Sequence, residues 1–184
     1  MRLITYQNKE AIDILLNTGE LKITRSEDMK TYHHFDSFGV SSFKEVYEYI
    51  THSMKKLINS DDLDNDIISP IWGWFKYPDI QELNNDNPDM YRIELEIEND
   101  KVLLSDFDYY ENIAIAGLDF FNLSKRKKDE IYALGREEIY RYYDKMISKY
   151  HLSRAKYIQG TFWKLKKEYV ISITRVKGEE LIYG

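Results

Sequence analysis

Hydrophobic and polar positions alternate from the second residue onward. Over residues 2 to 7, Leu3, Thr5 and Gln7 fall on one face and Ile4 and Tyr6 on the other, which predicts a strand. Ala11, Ile12, Leu15 and Leu16 then recur at helical spacing, and Gly19 stands where a glycine closes a helix. Leu21 to Ile23 predict a second short strand. Residues 26 to 40, with His33, His34, Asp36 and Gly39, have no period and read as a long loop. The next helix opens on a capping box made by Ser42 and Glu45. Phe43, Val46, Tyr47, Ile50, Met54 and Leu57 line its apolar face, and it ends near Asn59.

An acidic turn, Ser60 to Asp66, precedes a strand over Ile67 to Phe75, in which Pro70 marks an edge or the point of entry because proline cannot donate to a ladder. Tyr77 to Asp89, with Pro78 and Pro88, reads as a surface loop. Tyr91, Ile93, Leu95 and Ile97 alternate with Arg92, Glu94 and Glu96, the clearest period-2 run in the chain. Glu98-Asn99-Asp100 turns that strand into a neighbour over Lys101 to Ser105, in hairpin-like proximity. Asp106-Phe107-Asp108 opens a short helix to Ala116, and Ser124 caps one long helix to about Tyr150, with Tyr132, Ile139, Tyr143, Met146, Ile147 and Tyr150 on its buried stripe. Two closing strands, near Lys156 to Trp163 and Val170 to Val176, complete an α+β pattern with no internal repeat or linker, hence one domain over residues 1–184.

Composition narrows the function classes. With 43% hydrophobic and 32% charged residues, the chain has the material for a core but too many charges in every stretch for a membrane span. The start, Met1-Arg2-Leu3-Ile4-Thr5-Tyr6-Gln7, lacks the apolar segment of a signal peptide, so the expected location is the cytoplasm, without a membrane partner. No cysteine is present, which excludes disulfides, thiol nucleophiles and thiolate metal ligands. A net charge of -6 speaks against nucleic acid as partner, since phosphate binding needs Lys and Arg. The one dense basic run, Lys125 to Lys128, leads into Asp129-Glu130 and reads as a solvated helix start or, less simply, a polyanion site. Sixteen tyrosines and three tryptophans either line the core boundary or form a binding surface.

Candidate chemistry is sparse. His33 and His34 are adjacent and point apart, and no His-x-x-x-His pair exists, so no metal is expected. Asp106 and Asp108, two apart at a strand-to-helix turn, can cap helix N–H groups or hold a divalent ion. The glycines are isolated, which excludes a Walker or Rossmann phosphate loop, and there is no Gly-x-Ser-x-Gly elbow. Trp72-Gly73-Trp74 sets two indoles on one face of a strand. They form either a slot for a planar group or a core aromatic pair.

Pro70-Ile71-Trp72-Gly73-Trp74, Ile93-Glu94-Leu95-Glu96 and Val102 to Asp108 resemble an uncharacterised bacterial family, domain of unknown function 3841. The opening Leu3 to Gln7 and the closing Gln159 to Leu165 resemble that family's two ends, so the similarity extends over nearly the whole chain. A second, remoter similarity is to the ADP-ribosyltransferase fold, in its branch of DNA-modifying toxins. There a first strand bearing Thr or His leads through a helix to a Gly-terminated turn, as Thr5, Gln7 and Gly19 do here. That fold also places a catalytic Glu at the start of a late strand, where this chain has Gln159.

This resemblance implies an ADP-ribosyltransferase-like α+β fold with two small, mostly antiparallel sheets, flanking helices and a nucleotide cleft between the sheets. It implies NAD or a related nucleotide as the small-molecule partner, with ADP-ribosyl transfer or NAD hydrolysis as the activity. Gln159, Thr5 and Gln7 would be the catalytic residues, with Arg2, Arg25, Tyr47, Trp72, Trp74, Ser105 and Asp106 binding the nucleotide and Arg92 a further cation for its pyrophosphate. A neutral amide at 159 can hydrogen-bond but cannot stabilise an oxocarbenium-like charge as a carboxylate does. That substitution supports the alternative of a non-catalytic module from a phage or mobile-element locus that binds a protein partner through its Tyr- and Trp-rich face.

Overall fold

The opening strand, β1 (Arg2–Asn8), buries Leu3, Thr5 and Gln7 and leaves Ile4 and Tyr6 half-buried, the two faces its alternation predicts. The computed structural model describes residues 1–24, 40–58, 61–76, 90–147, 152–178 and 180–184. The loop with His33, His34 and Asp36 and the excursion from 77 to 89 lie outside the described residues, as do the side chains of Phe43 and Val46. After β1, the Asn8 side chain accepts from the Ala11 amide at 2.9 Å and starts α1 (Lys9–Thr18). Gly19, at φ 86°, closes it by donating to the Leu15 carbonyl at 2.9 Å. Ala11, Ile12 and Leu15 turn inward.

The remaining elements are β2 (Glu20–Leu21), α2 (Val40–Leu57), β3 (Ile71–Lys76), β4 (Met90–Glu96), β5 (Leu103–Asp106), α3 (Phe107–Ala116), α4 (Lys125–Leu134), α5 (Arg136–Ile147), β6 (Ile158–Phe162), β7 (Leu165–Lys166), β8 (Val170–Arg175) and β9 (Glu180–Tyr183). Among the described residues, seven strands form one sheet in the order β5-β6-β3-β1-β4-β8-β9, with every neighbouring pair antiparallel, and β2 and β7 form a separate ribbon. The fold is thus mixed α and β around a mostly antiparallel sheet, but two small sheets are not what the strands make. β1 and β4 pair along their whole length, from Arg2 opposite Glu96 to Asn8 opposite Met90. β1 and β3, in contrast, are in register only at Ile4 opposite Trp74. That single pair joins a β5-β6-β3 half to a β1-β4-β8-β9 half, and the join is the weakest seam in the sheet.

Several other expectations are corrected. β5 does not form a hairpin with β4: both ladder edges of β4 are taken, by β1 and β8, so the chain crosses to the far end of the sheet and β5 pairs with β6. β3 is interior, and Pro70 immediately precedes it, where a missing N–H costs no ladder bond. α2 begins before Ser42, which therefore lies inside the first turn instead of capping it. Tyr47, Ile50 and Met54 are buried, but Leu57 in the last turn is 62% exposed, while Tyr49 joins the core instead. The single long helix is two, because Gly135 takes φ 88° and closes α4 by donating to the Tyr132 carbonyl at 3.1 Å. Tyr132, expected inside, faces solvent.

Two cores cover the two faces. On the Leu3 face, α1 and the β2–β7 ribbon pack Ile12, Leu15 and Leu165 onto Leu3, Ile93 and Ile173. On the opposite face, α2 to α5 pack a tyrosine-rich layer, Tyr49, Tyr109, Tyr110, Tyr140 and Tyr143, against Trp163 and the partly buried Trp72 and Leu103. Tyr49 meets Tyr110 in a stack at 5.9 Å and Tyr143 edge-on at 5.3 Å. Five of the sixteen tyrosines thus go to this helical core.

Gly160 lies at the centre of the first core. A Cβ built there would sit 2.9 Å from Val102 Cγ1 and 3.0 Å from Leu3 Cδ2. Gly160→Ala is therefore expected to cost about 1–3 kcal/mol through overpacking, read as a lower midpoint in urea unfolding. An unchanged midpoint would mean that this contact can relax freely.

Candidate functional site

Residues paired across antiparallel strands share a face, so the ladder registers sort the candidate residues. Ser105 pairs with Gln159, Gln159 with Trp74, Trp74 with Ile4, Ile4 with Glu94 and Glu94 with Ser172. These side chains form one row across six strands, on the face covered at one end by the helical layer. Trp72 and Thr161 pair on the same face, as do Tyr6, Arg92 and Thr174.

Helices close over the β5-β6-β3 end of this row. Tyr47 of α2 meets the Trp72 ring edge-on at 5.4 Å, and Phe107, the first residue of α3, meets Trp74 at 4.9 Å. Each indole therefore has its own aromatic partner. Phe107 was not singled out in the sequence; its signal is its place beside Asp106 at the strand-to-helix turn. Asp106 takes the capping role, its Oδ1 accepting from the Tyr109 amide at 3.3 Å.

Gln159 is 2% exposed and Ser105 5%, yet Gln159 Nε2 and Ser105 Oγ have no hydrogen-bond partner among the described residues, and neither does Trp72 Nε1. A buried polar atom without a partner is costly, and Gln7 Oε1, Ser53 Oγ and Trp163 Nε1 elsewhere among the described residues are in the same state. Burial holds the Tyr47 hydroxyl well above the ordinary tyrosine pKa, so it stays neutral. At the open end, Arg92 Nη1 pairs with Glu94 Oε1 at 2.5 Å, and Arg2, exposed, lies on the same face opposite Glu96.

Thr5 and Gln7 are not brought to Gln159. They lie next to Ile4 and Tyr6 in an alternating strand and so face the other way, into the α1 core. There Gln7 Nε2 donates to Thr5 Oγ1 at 3.1 Å, and Thr5 Oγ1 donates to the Trp72 carbonyl at 2.7 Å. This chain of bonds crosses the β1–β3 seam where the ladder is short. Of the eleven residues singled out, Gln159, Tyr47, Trp72, Trp74 and Ser105 converge, Arg2 and Arg92 lie on the same face at its outer end, Thr5 and Gln7 turn into the opposite core, Asp106 caps a helix, and Arg25 lies outside the described residues.

Residues 2–122 match the family model described as Domain of unknown function (DUF3841). The chain belongs to that family. The match carries β1, the Trp72-Gly73-Trp74 strand, β4 and the Ser105-Asp106 turn of this DUF3841 domain, but it ends before β6, so Gln159 and the closing segment lie beyond it and the similarity is shorter than the sequence suggested. No curated protein and no solved structure matches the chain. No helix among the described residues is long and apolar enough to cross a membrane.

Proposed function

We propose that this DUF3841 domain is an ADP-ribosyltransferase-like module that binds NAD or a related nucleotide on the Gln159 face, beside the β1–β3 seam. The observation that carries this reading is the buried Gln159 amide, with its nitrogen unpartnered, in register with Ser105 on one side and Trp74 on the other. The strand order adds support, since the closing strand β6, β3 and the opening strand β1 are consecutive. In this reading Gln159 touches the ligand, Trp72 and Trp74 flank its ring, and Thr5 and Gln7 hold β1 against β3. A neutral amide leaves the developing positive charge of glycosidic cleavage without a counter-charge, so binding is expected to outlast efficient turnover.

Calorimetric titration with NAD is the test. Wild type is expected to bind, and Gln159→Ala to bind about tenfold more weakly or worse, since a desolvated hydrogen bond to the ligand is lost. With labelled NAD, product from wild type that the alanine variant loses marks an enzyme, and product gained only by Gln159→Glu marks a decayed one. Absence of both heat and thermal shift with NAD removes the proposal.

A second reading, a module that binds a protein partner, draws on the exposed Ile115, Tyr132 and Leu134 at the ends of α3 and α4, which are 67%, 53% and 71% exposed. A stable complex that co-purifies with wild type and is lost on Leu134→Asp, with no NAD binding, would favour it.

A further inference from the structure

Between α2 and β3 the chain runs through Asp61-Asp62-Leu63-Asp64-Asn65-Asp66-Ile67, and its side chains divide between the two cores. Ile67, and in part Leu63, pack into the helical layer. Asp62, Asp64 and Asp66 reach the other way, to lysines on or beside the β2–β7 ribbon and to Lys101 in the turn before β5.

These contacts form two halves that differ in exposure. In the first, the buried Asp62 meets Lys166 at 2.5 Å, Lys101 at 3.9 Å and the Tyr169 hydroxyl at 2.8 Å, and Glu98 and Glu168 lie within 4 Å of Lys101 and Lys166. In the second, Lys22 lies 3.0 Å from both Asp64 and Asp66, Lys164 lies 2.8 Å from Asp64, and Glu20 is within 4.0 Å of both lysines. Lys164 is nearly buried, but the carboxylates of Asp64 and Glu20 are 37% and 38% exposed, so water and ions reach these pairs from the acid side. Salt weakens a half-exposed pair far more than a buried one. Just beyond the second half, the Ile68 amide donates to the Ile23 carbonyl at 2.9 Å and joins the segment to the ribbon's end.

We propose that residues 61–67 are a salt-gated strap. Asp62 is its fixed anchor, and the half around Asp64 and Asp66 is a latch that opens as ionic strength rises while the sheet stays folded. The strap links α2, which carries Tyr47, to β3, which carries Trp72, and those rings meet edge-on. An open latch loosens that contact and admits solvent to the Trp72 end of the Gln159 face.

Hydrogen exchange followed by NMR on the full chain reads the latch at the Ile68 amide and the sheet at the Ile93 amide, whose strand is paired on both edges. Raising NaCl from about 0.1 M to about 1 M shortens the screening length from about 10 Å to about 3 Å, close to the separation of these pairs. Ile68 exchange is expected to speed up about three- to tenfold relative to Ile93, and the Trp72 indole N–H to follow it. Asp64→Asn should give a rise of the same size at low salt and leave little for salt to add. Lys22→Gln breaks the latch from the ribbon side and covers the case in which the first variant does not fold. Equal acceleration at Ile68 and Ile93 would mean that the strap opens only with global unfolding and overturns the proposal. So does a folded latch variant that responds to salt as wild type does, or a Trp72 indole that keeps its low-salt rate while Ile68 opens.

Discussion

Asp62→Ala is expected to destabilise the domain by about 2–3 kcal/mol, a fall in Tm of about 5–10 °C for a chain of this length. Asp62 sits in the acidic turn that leads to β3 and is 4% exposed. Its carboxylate accepts from Lys166 Nζ at 2.5 Å and from the Tyr169 hydroxyl at 2.8 Å, with Lys101 Nζ at 3.9 Å. Removing one partner of a fully buried pair costs about 3–5 kcal/mol. Here the cost is less, because the Lys166 side chain is 27% exposed and can turn toward water. Burial pushes the Asp62 pKa up, but the hydrogen bonds from Lys166 and Tyr169 and the charges of Lys166 and Lys101 outweigh it and hold the carboxyl below the ordinary aspartate range.

The sign of the pH dependence follows. A carboxyl whose folded pKa lies below its unfolded one contributes stability that is complete above the unfolded value and is lost as pH falls through the folded value. Wild type and Asp62→Ala should therefore differ most near neutral pH and converge below about pH 4. Chemical unfolding at pH 7 and at pH 3 reads this directly. A gap that is the same at both would show that the charge of Asp62 contributes nothing.

Thr5→Val is expected to cost about 2–3 kcal/mol without removing any group from the Gln159 face. Valine has the shape of threonine but no hydroxyl, so the Trp72 carbonyl loses its donor and Gln7 Nε2 its acceptor, both inside the α1 core. The two orphaned groups sit where β1 and β3 have only one registered pair to hold them together. Thr5→Ser keeps the hydroxyl and should recover most of the loss. NAD affinity, measured where the valine variant is still folded, should change little. Loss of turnover or binding with an unchanged Tm would instead put Thr5 in contact with the ligand and refute its role as a seam tether.

Local chemistry made much of this fold readable from the sequence. Alternation in β1 and β4, the Gly19 and Asp106 caps and the solvated start of α4 depend on residues within a few positions of each other, and each formed as its neighbours dictate. Gly135 was legible in principle, since a glycine between two helical runs is a stop as readily as a tolerated member. Pairing was not legible, because ladder partners lie far apart in the chain: β5 follows β4 directly and yet pairs with β6, some fifty residues later in the sequence. Only the register, which sets Ile4 against Trp74 and Trp74 against Gln159, decided that Gln159 shares a face with Ser105 and the tryptophans and turns its back on Thr5 and Gln7. The sequence determined which residues are polar and which strand each occupies. Which of them can meet was decided by the tertiary structure, because successive side chains in a strand point to opposite faces and a shift of one residue in pairing exchanges the two.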